Sequence, residues 1–233
     1  TITATDINNC SITTQLTISE PPTIVWNTPS ITQVLCNGGT NGSITTTVSG
    51  GTGTISYQLQ PTNQTNTTGI FATLGANTYT ITATDINNCS TTTQVTIIEP
   101  SPLQVTNIST TAPTCVPGND GSMTVTASGG TTTYQYNING GTNQGSNVFS
   151  NLNSGTYTIQ VTDANNCTAT STQAITAPNS PSITVSSTTA VLCNGGNNGS
   201  ITATTTGGTG SITYQLQPTN QTNSTGIFTS LTA

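Results

Sequence analysis

The 233-residue chain contains no lysine, no arginine and no histidine, and its six acids leave a formal charge of −6. Each absence removes a chemistry. Without Lys or Arg nothing neutralises phosphate, which excludes nucleic-acid binding and nucleotide cradling. Without His there is no Ser-His-Asp triad, no imidazole base and no ordinary zinc site. Without Lys there is neither a Schiff base nor a P-loop. Anionic membrane surfaces find no cation to attract, and no apolar run is long enough to span a bilayer, so membrane insertion is not expected. No initiator methionine and no signal-peptide pattern open the sequence, and the expectation is a segment of a larger protein. The inventory predicts a non-enzyme with no catalytic residue and no resident organic cofactor.

Only 30% of residues are hydrophobic, which raises disorder as a possibility. Threonine answers it: 59 positions are Thr, a β-branched strand former, and the net charge is small for the length.

What the chain does have is a repeat. "TITATDINNCS" at 1–11 returns unchanged at 80–90 and as "TIQVTDANNCT" at 158–168. "LCNGGTNGSIT" at 35–45 returns as "TCVPGNDGSMT" and "LCNGGNNGSIT" at 114–124 and 192–202, giving a period of 78 to 79 residues. Residues 21–99 and 100–179 are expected to be complete repeats. Residues 1–20 read as the C-terminal strands of another repeat, and 180–233 as a repeat lacking its last strands.

Within each repeat, apolar residues alternate over strand-sized runs. Ile44, Thr46 and Val48 share a face, as do Ile55, Tyr57 and Leu59. Tyr79, Ile81 and Ala83 point inward while Thr78, Thr80, Thr82 and Thr84 point outward, and Val95 and Ile97 complete the face. Period 2, bounded by Gly, Asn and Pro, predicts an all-β fold of tandem antiparallel β-sandwiches with almost no helix. Tyr79 and Tyr157 open their strands just after a turn, where a tyrosine corner or a plain core aromatic both fit. Outward T-x-T ladders also raise an ice-binding surface, but the long period with variable strands fits that poorly. Exposed β-branched residues on a sheet are the simpler account.

The order "CxGxxxGSIT…GG…YQ…L…GTYTIxVTDxNxC…E/AP" resembles the SprB-type repeat of very large surface adhesins in gliding Bacteroidota. Cys115 departs from it, being followed by "VPGNDG", and "NN" stands where "NG" usually precedes the second cysteine. The resemblance implies immunoglobulin-like tandem domains arranged as a rod or filament, secreted through the type IX system to the cell surface. It also implies a stalk or adhesin role in surface adhesion or gliding motility. The partners implied are neighbouring repeats of the same chain, other filament copies or surface glycans. An array of carbohydrate-binding modules is the alternative, with Trp26 offering either a junction filler or a sugar-stacking face.

Six cysteines without a CxxC pair suggest disulfides and an oxidising, extracellular location. Three registers are open: within a repeat (Cys36–Cys89, Cys115–Cys167), across a linker (Cys10–Cys36, Cys89–Cys115, Cys167–Cys193), or pole to pole between successive repeats (Cys36–Cys167). The third has a slight edge.

The acids are placed periodically. Glu20 with Asp85 and Asn87, and Glu99 with Asp163 and Asn165, form two oxygen-rich sets suited to weak Ca²⁺ binding. The alternative is that Asp and Asn cap their own turns. The glycine clusters are turn residues, since no helix or cation follows them. The longest polar loops, 60–69 with Gln60, Asn63 and Asn66 and 217–226 with Gln217, Asn220 and Asn223, are candidate contact surfaces. Sequons such as "NQT" are frequent only because Asn and Thr are abundant. A chain without Lys or Arg has no tryptic site, so trypsin is expected to leave both native and urea-denatured chains intact by mass spectrometry. One specific cut within the sequence contradicts this.

Overall fold

A computed structural model describes residues 1–233 and contains no helix; its 22 strands pair only antiparallel. The chain divides into two compact units, Thr1–Pro102 and Leu103–Ala233. The division falls three residues beyond the repeat boundary read from sequence, inside the linker that carries Pro100 and Pro102. Proline cannot donate to a ladder, so no strand runs through this linker.

The first unit opens with a hairpin, β1 (Ile2–Thr5) and β2 (Ser11–Thr14). The first complete repeat follows. One layer contains β3 (Val25–Trp26) paired with β6 (Val48–Ser49), and β4 (Ser30–Thr32), β5 (Gly42–Thr45) and β9 (Ile70–Leu74) in the order β4-β5-β9. The other contains β7 (Ser56–Gln60), β8 (Gln64–Asn66), β10 (Asn77–Thr84) and β11 (Ser90–Ile97) in the order β11-β10-β7-β8. This is an immunoglobulin-like sandwich. Asn27, Thr28 and Pro29 interrupt the first strand, because Pro29 lacks the N–H that a continuous ladder needs.

The second unit begins with β12 (Gln104–Thr111), β13 (Gly121–Ser128) and β15 (Val148–Leu152) in one sheet. Facing it are β14 (Gln135–Ile138), β16 (Gly155–Thr162) and β17 (Thr168–Ile175). With no proline in its first strand, β12 runs unbroken for eight residues. Residues 180–233 form β18 (Ser182–Thr189), β19 (Gly199–Thr206) and β22 (Ile227–Leu231), beside a two-stranded sheet of β20 (Tyr214–Leu216) and β21 (Gln221–Asn223).

The alternation read from sequence sets the cores. Along β10, Tyr79, Ile81 and Ala83 are buried and the intervening threonines lie toward solvent. On β11, Val95 and Ile97 are buried, with Tyr79 opposite Val95. Ile81 stands opposite Leu59 of β7, joining two fully buried side chains across the ladder. In the second unit Met123, Val125, Ile159 and Val161 take the corresponding central places. A register irregularity recurs in all three repeats where β5, β13 and β19 meet β9, β15 and β22. There Thr73, Asn151 and Ser230 hold positive φ, and the bulge twists the strand.

Both tyrosine corners form: the Tyr79 hydroxyl donates to the Gly75 carbonyl at 3.0 Å and Tyr157 to Asn153 at 2.9 Å. Each ties the turn to the strand that leaves it. Gly69 has φ +69°, and a side chain there would meet the Thr46 carbonyl, so this turn requires glycine. Ile81→Ala removes a fully buried side chain and is expected to lower the unfolding free energy of the first unit by about 2–5 kcal/mol. Thr78→Ala, on the outward face, is expected to stay within about 0.5 kcal/mol. Urea titration followed by tyrosine and tryptophan fluorescence checks both.

Candidate functional site

The "TDxNNC" turns are built around one carboxylate each. In the first complete repeat Asp85 Oδ1 accepts the backbone N–H groups of Asn87 and Cys89, both at 2.9 Å, and Oδ2 accepts that of Thr52 at 3.0 Å. Asn88 takes positive φ to close the turn. Asp163 repeats the pattern with Asn165, Cys167 and Thr131 at 2.9, 2.9 and 2.8 Å. Both aspartates are buried. Asp6 holds Asn8 and Cys10 through Oδ1 in the same way, although it is exposed. The carboxylates therefore latch the turn after each penultimate strand to the glycine turn before β7 or β14. Burial pushes the Asp85 carboxyl up, but the N–H donors of Cys89, Thr52 and Asn87 outweigh this and hold it below the usual carboxylate value.

The opposite pole has its own latch. Glu99 Oε1 accepts from the Asn37 amide at 3.0 Å and Oε2 from the Gly38 N–H at 2.6 Å, closing the "CNGG" loop onto the end of β11. Inside that loop Asn41 Oδ1 accepts the Leu35 N–H, and Asn198 does the same for Leu192. In the divergent "VPGNDG" loop Asp120 takes over, accepting both the hydroxyl and the N–H of Thr114, at 2.7 and 2.9 Å. These bonds hold its carboxyl below the ordinary value. Sequence reasoning missed this latch; the recurring Asn or Asp six residues past the loop's first N–H was its only signal.

Of the oxygen-rich sets, Glu20 and Asp85 line one cleft of about 430 Å³ together with Pro22, Gly51 and Cys89. No group of three or more Cys, Asp or Glu side chains converges. Asp85 and Asp163 already use both carboxylate oxygens on backbone donors, while Asn87 and Asn165 contribute backbone N–H groups to them.

Cys36 and Cys167 are disulfide-bonded, and Cys10, Cys89, Cys115 and Cys193 are exposed thiols. The register within a repeat fails on geometry. Val34 donates to the Ile98 carbonyl just past the end of β11, whereas Cys89 immediately precedes β11. Cys36 and Cys89 therefore lie beyond opposite ends of a strand about 26 Å long, far outside the roughly 7 Å limit on Cα separation. Cys115 and Cys167 lie at opposite ends of their repeat in the same way. The linker register is not realised either, because each of its three pairs contains at least one of the thiols.

The polar segments 60–69 and 217–226 are hairpins rather than loops. β7 pairs with β8, Asn63 turns at positive φ, and the Gln60 amide donates to Asn63 Oδ1 at 2.6 Å. Asn66 Oδ1 caps the Thr68 and Gly69 N–H groups, and its amide reaches the Ile70 carbonyl. Gln217, Asn220 and Asn223 copy these contacts. Trp26 is half-buried against Tyr57, with ring centroids 6.2 Å apart, packed against the core of its own repeat.

A family model described as the SprB repeat matches residues 28–64, 107–143 and 182–221. The chain carries SprB-type repeats. No curated protein matches it significantly. Among solved structures it is similar to a C-terminal 282-residue fragment of intimin, crystallised in complex with the intimin-binding domain of the translocated intimin receptor. Identity is 20% over 72% of this chain and 67% of that one, with a TM-score of 0.38.

Because the folded Asp85 carboxyl titrates below its unfolded value of about 4, the turn it closes contributes fully above that pH and loses its contribution as pH falls through the folded value. The urea midpoint of the first unit is expected to hold from neutral pH to about 5 and fall below 4. Asp85→Asn is expected to lower the midpoint at pH 7 and to shrink its acid dependence. An unchanged acid dependence in the variant places the titrating group elsewhere.

Proposed function

We propose that this chain is a stalk or filament segment of a large secreted cell-surface adhesin, working in surface adhesion or gliding motility. The observation that carries the reading is the repetition of one self-contained β-sandwich whose polar groups are spent on holding its own turns. The SprB-type repeats support it, since the adhesins they resemble are surface proteins. Asp85, Asp163, Glu99 and Asn66 all satisfy backbone groups of their own repeat, which suits a spacer better than a catalyst. A glycan-reading array would need an open aromatic platform, and the lone tryptophan packs on Tyr57 instead.

The pole-to-pole cysteine register belongs to this proposal. A covalent link from Cys36 to Cys167 shields the 130 residues between them, 37–166, from pulling force. Single-molecule stretching of the oxidised chain is then expected to show a shorter released length than the reduced chain. Reduction is expected to release each complete repeat as a separate event of roughly 25 nm, from ~3.6 Å per extended residue. Identical traces with and without reductant refute the link. Smooth extension without discrete events refutes the mechanical role.

A further inference from the structure

We propose that Asn37, Gly38 and Glu99 form a self-modifying site: Glu99 carries the protons while Asn37 cyclises onto the Gly38 nitrogen, and the loop deamidates itself.

The site stands inside the first complete repeat, where the "CNGG" loop meets the end of β11. A glycine after asparagine lets the backbone nitrogen approach the side-chain carbonyl, because no Cβ stands in the way. Gly38 has φ +73°, and a Cβ built there would meet nothing within 4 Å. Asn37 and Gly38 are both exposed, so water reaches them. The two nitrogens that trade places on Asn37 sit on one carboxylate. Oε2 of Glu99 accepts the N–H of Gly38, the nucleophile, at 2.6 Å. Oε1 accepts from Nδ2 of Asn37, the leaving group, at 3.0 Å. Nδ2 also donates to the Pro100 carbonyl at 3.1 Å, which keeps the amide nitrogen turned toward this end of the strand. A carboxylate in contact with both nitrogens is placed to take a proton from one and give it to the other.

The steps balance without an outside reagent except water. The Gly38 nitrogen bonds to the Asn37 side-chain carbonyl carbon, and its proton passes to Glu99. The bond from that carbon to Nδ2 then breaks, Glu99 returns the proton to Nδ2, and ammonia leaves. Glu99 ends as it began, and a five-membered succinimide joins residues 37 and 38. Water opens the ring at either carbonyl, leaving aspartate or isoaspartate at position 37. The event happens once per chain.

The remaining Asn-Gly pairs of the complete repeats are Asn41–Gly42 and Asn139–Gly140. Their side chains serve turns instead: Asn41 Oδ1 accepts the Leu35 N–H at 3.2 Å, and Asn139 Oδ1 that of Thr158 at 2.9 Å. In the second complete repeat all three parts are replaced together. Val116, Pro117 and Ala177 stand at the places of Asn37, Gly38 and Glu99. Proline has no N–H to give up, and alanine has no carboxylate.

The product undoes the latch. The amide donor becomes a second carboxylate facing Glu99, and like charges repel. Isoaspartate also adds a methylene to the backbone between Cys36 and Gly38. The loop is thus released from β11 with age, needing neither protease nor reductant.

The folded full chain is aged at neutral pH and physiological temperature, then mapped as chymotryptic peptides by mass spectrometry. Hydroxyl is expected to replace amide at Asn37 at least about tenfold faster than at Asn41 or Asn139. In urea, where Glu99 no longer meets the loop, the three sites are expected to react at similar rates. Glu99→Gln keeps the size of the side chain but removes the base. It is expected to slow Asn37 at least about tenfold and to leave Asn139 unchanged. Asn37 reacting no faster in the folded chain than in urea overturns the proposal, and this comparison needs no variant. Equal or faster reaction of Asn37 in Glu99→Gln overturns it too, making the latch a shield.

Discussion

Each repeat depends on one closure: the hairpin of the last two strands laid against the edge of β7 or β14. Tyr79, Ile81 and Ala83 from one strand and Val95 and Ile97 from the next fill the space between the sheets. The same residue type shows what the closure does. Ile44 is fully buried beneath this hairpin, and Ile201, its equivalent without one, is half-buried. A side chain of this size contributes about 1.5–3 kcal/mol when it leaves water completely. In so small a domain a few such side chains decide whether the sandwich is stable.

The second constraint is the missing cations. With no Lys or Arg, carboxylates find no ionic partner on any side chain. They turn to backbone N–H groups, of which a loop-rich β protein has a surplus at every strand end. Asp85 takes three, Asp163 takes three, and Glu99 secures the opposite pole. The abundant amides work likewise, Asn66 and Asn223 each capping two N–H groups. Composition that looks featureless as a list is thus a uniform means of fixing turns without charge pairs.

The fold was legible because its signal is local and periodic. Alternation named the inward residues of β10 and β11, and a tyrosine after a turn named the corner. The hairpin of β7 and β8 was hidden because Gln64, Thr65 and Asn66 carry no apolar face; an edge strand lying over water leaves no period-2 trace. The acids read either as Ca²⁺ ligands or as caps of their own turns for a related reason. Spacing along the chain shows where carboxylates fall, not which N–H groups the turns aim at them. Cysteine spacing left three registers open; the one within a repeat fell when strand length separated the poles, and the one across linkers fell to the free thiols of Cys10, Cys89, Cys115 and Cys193.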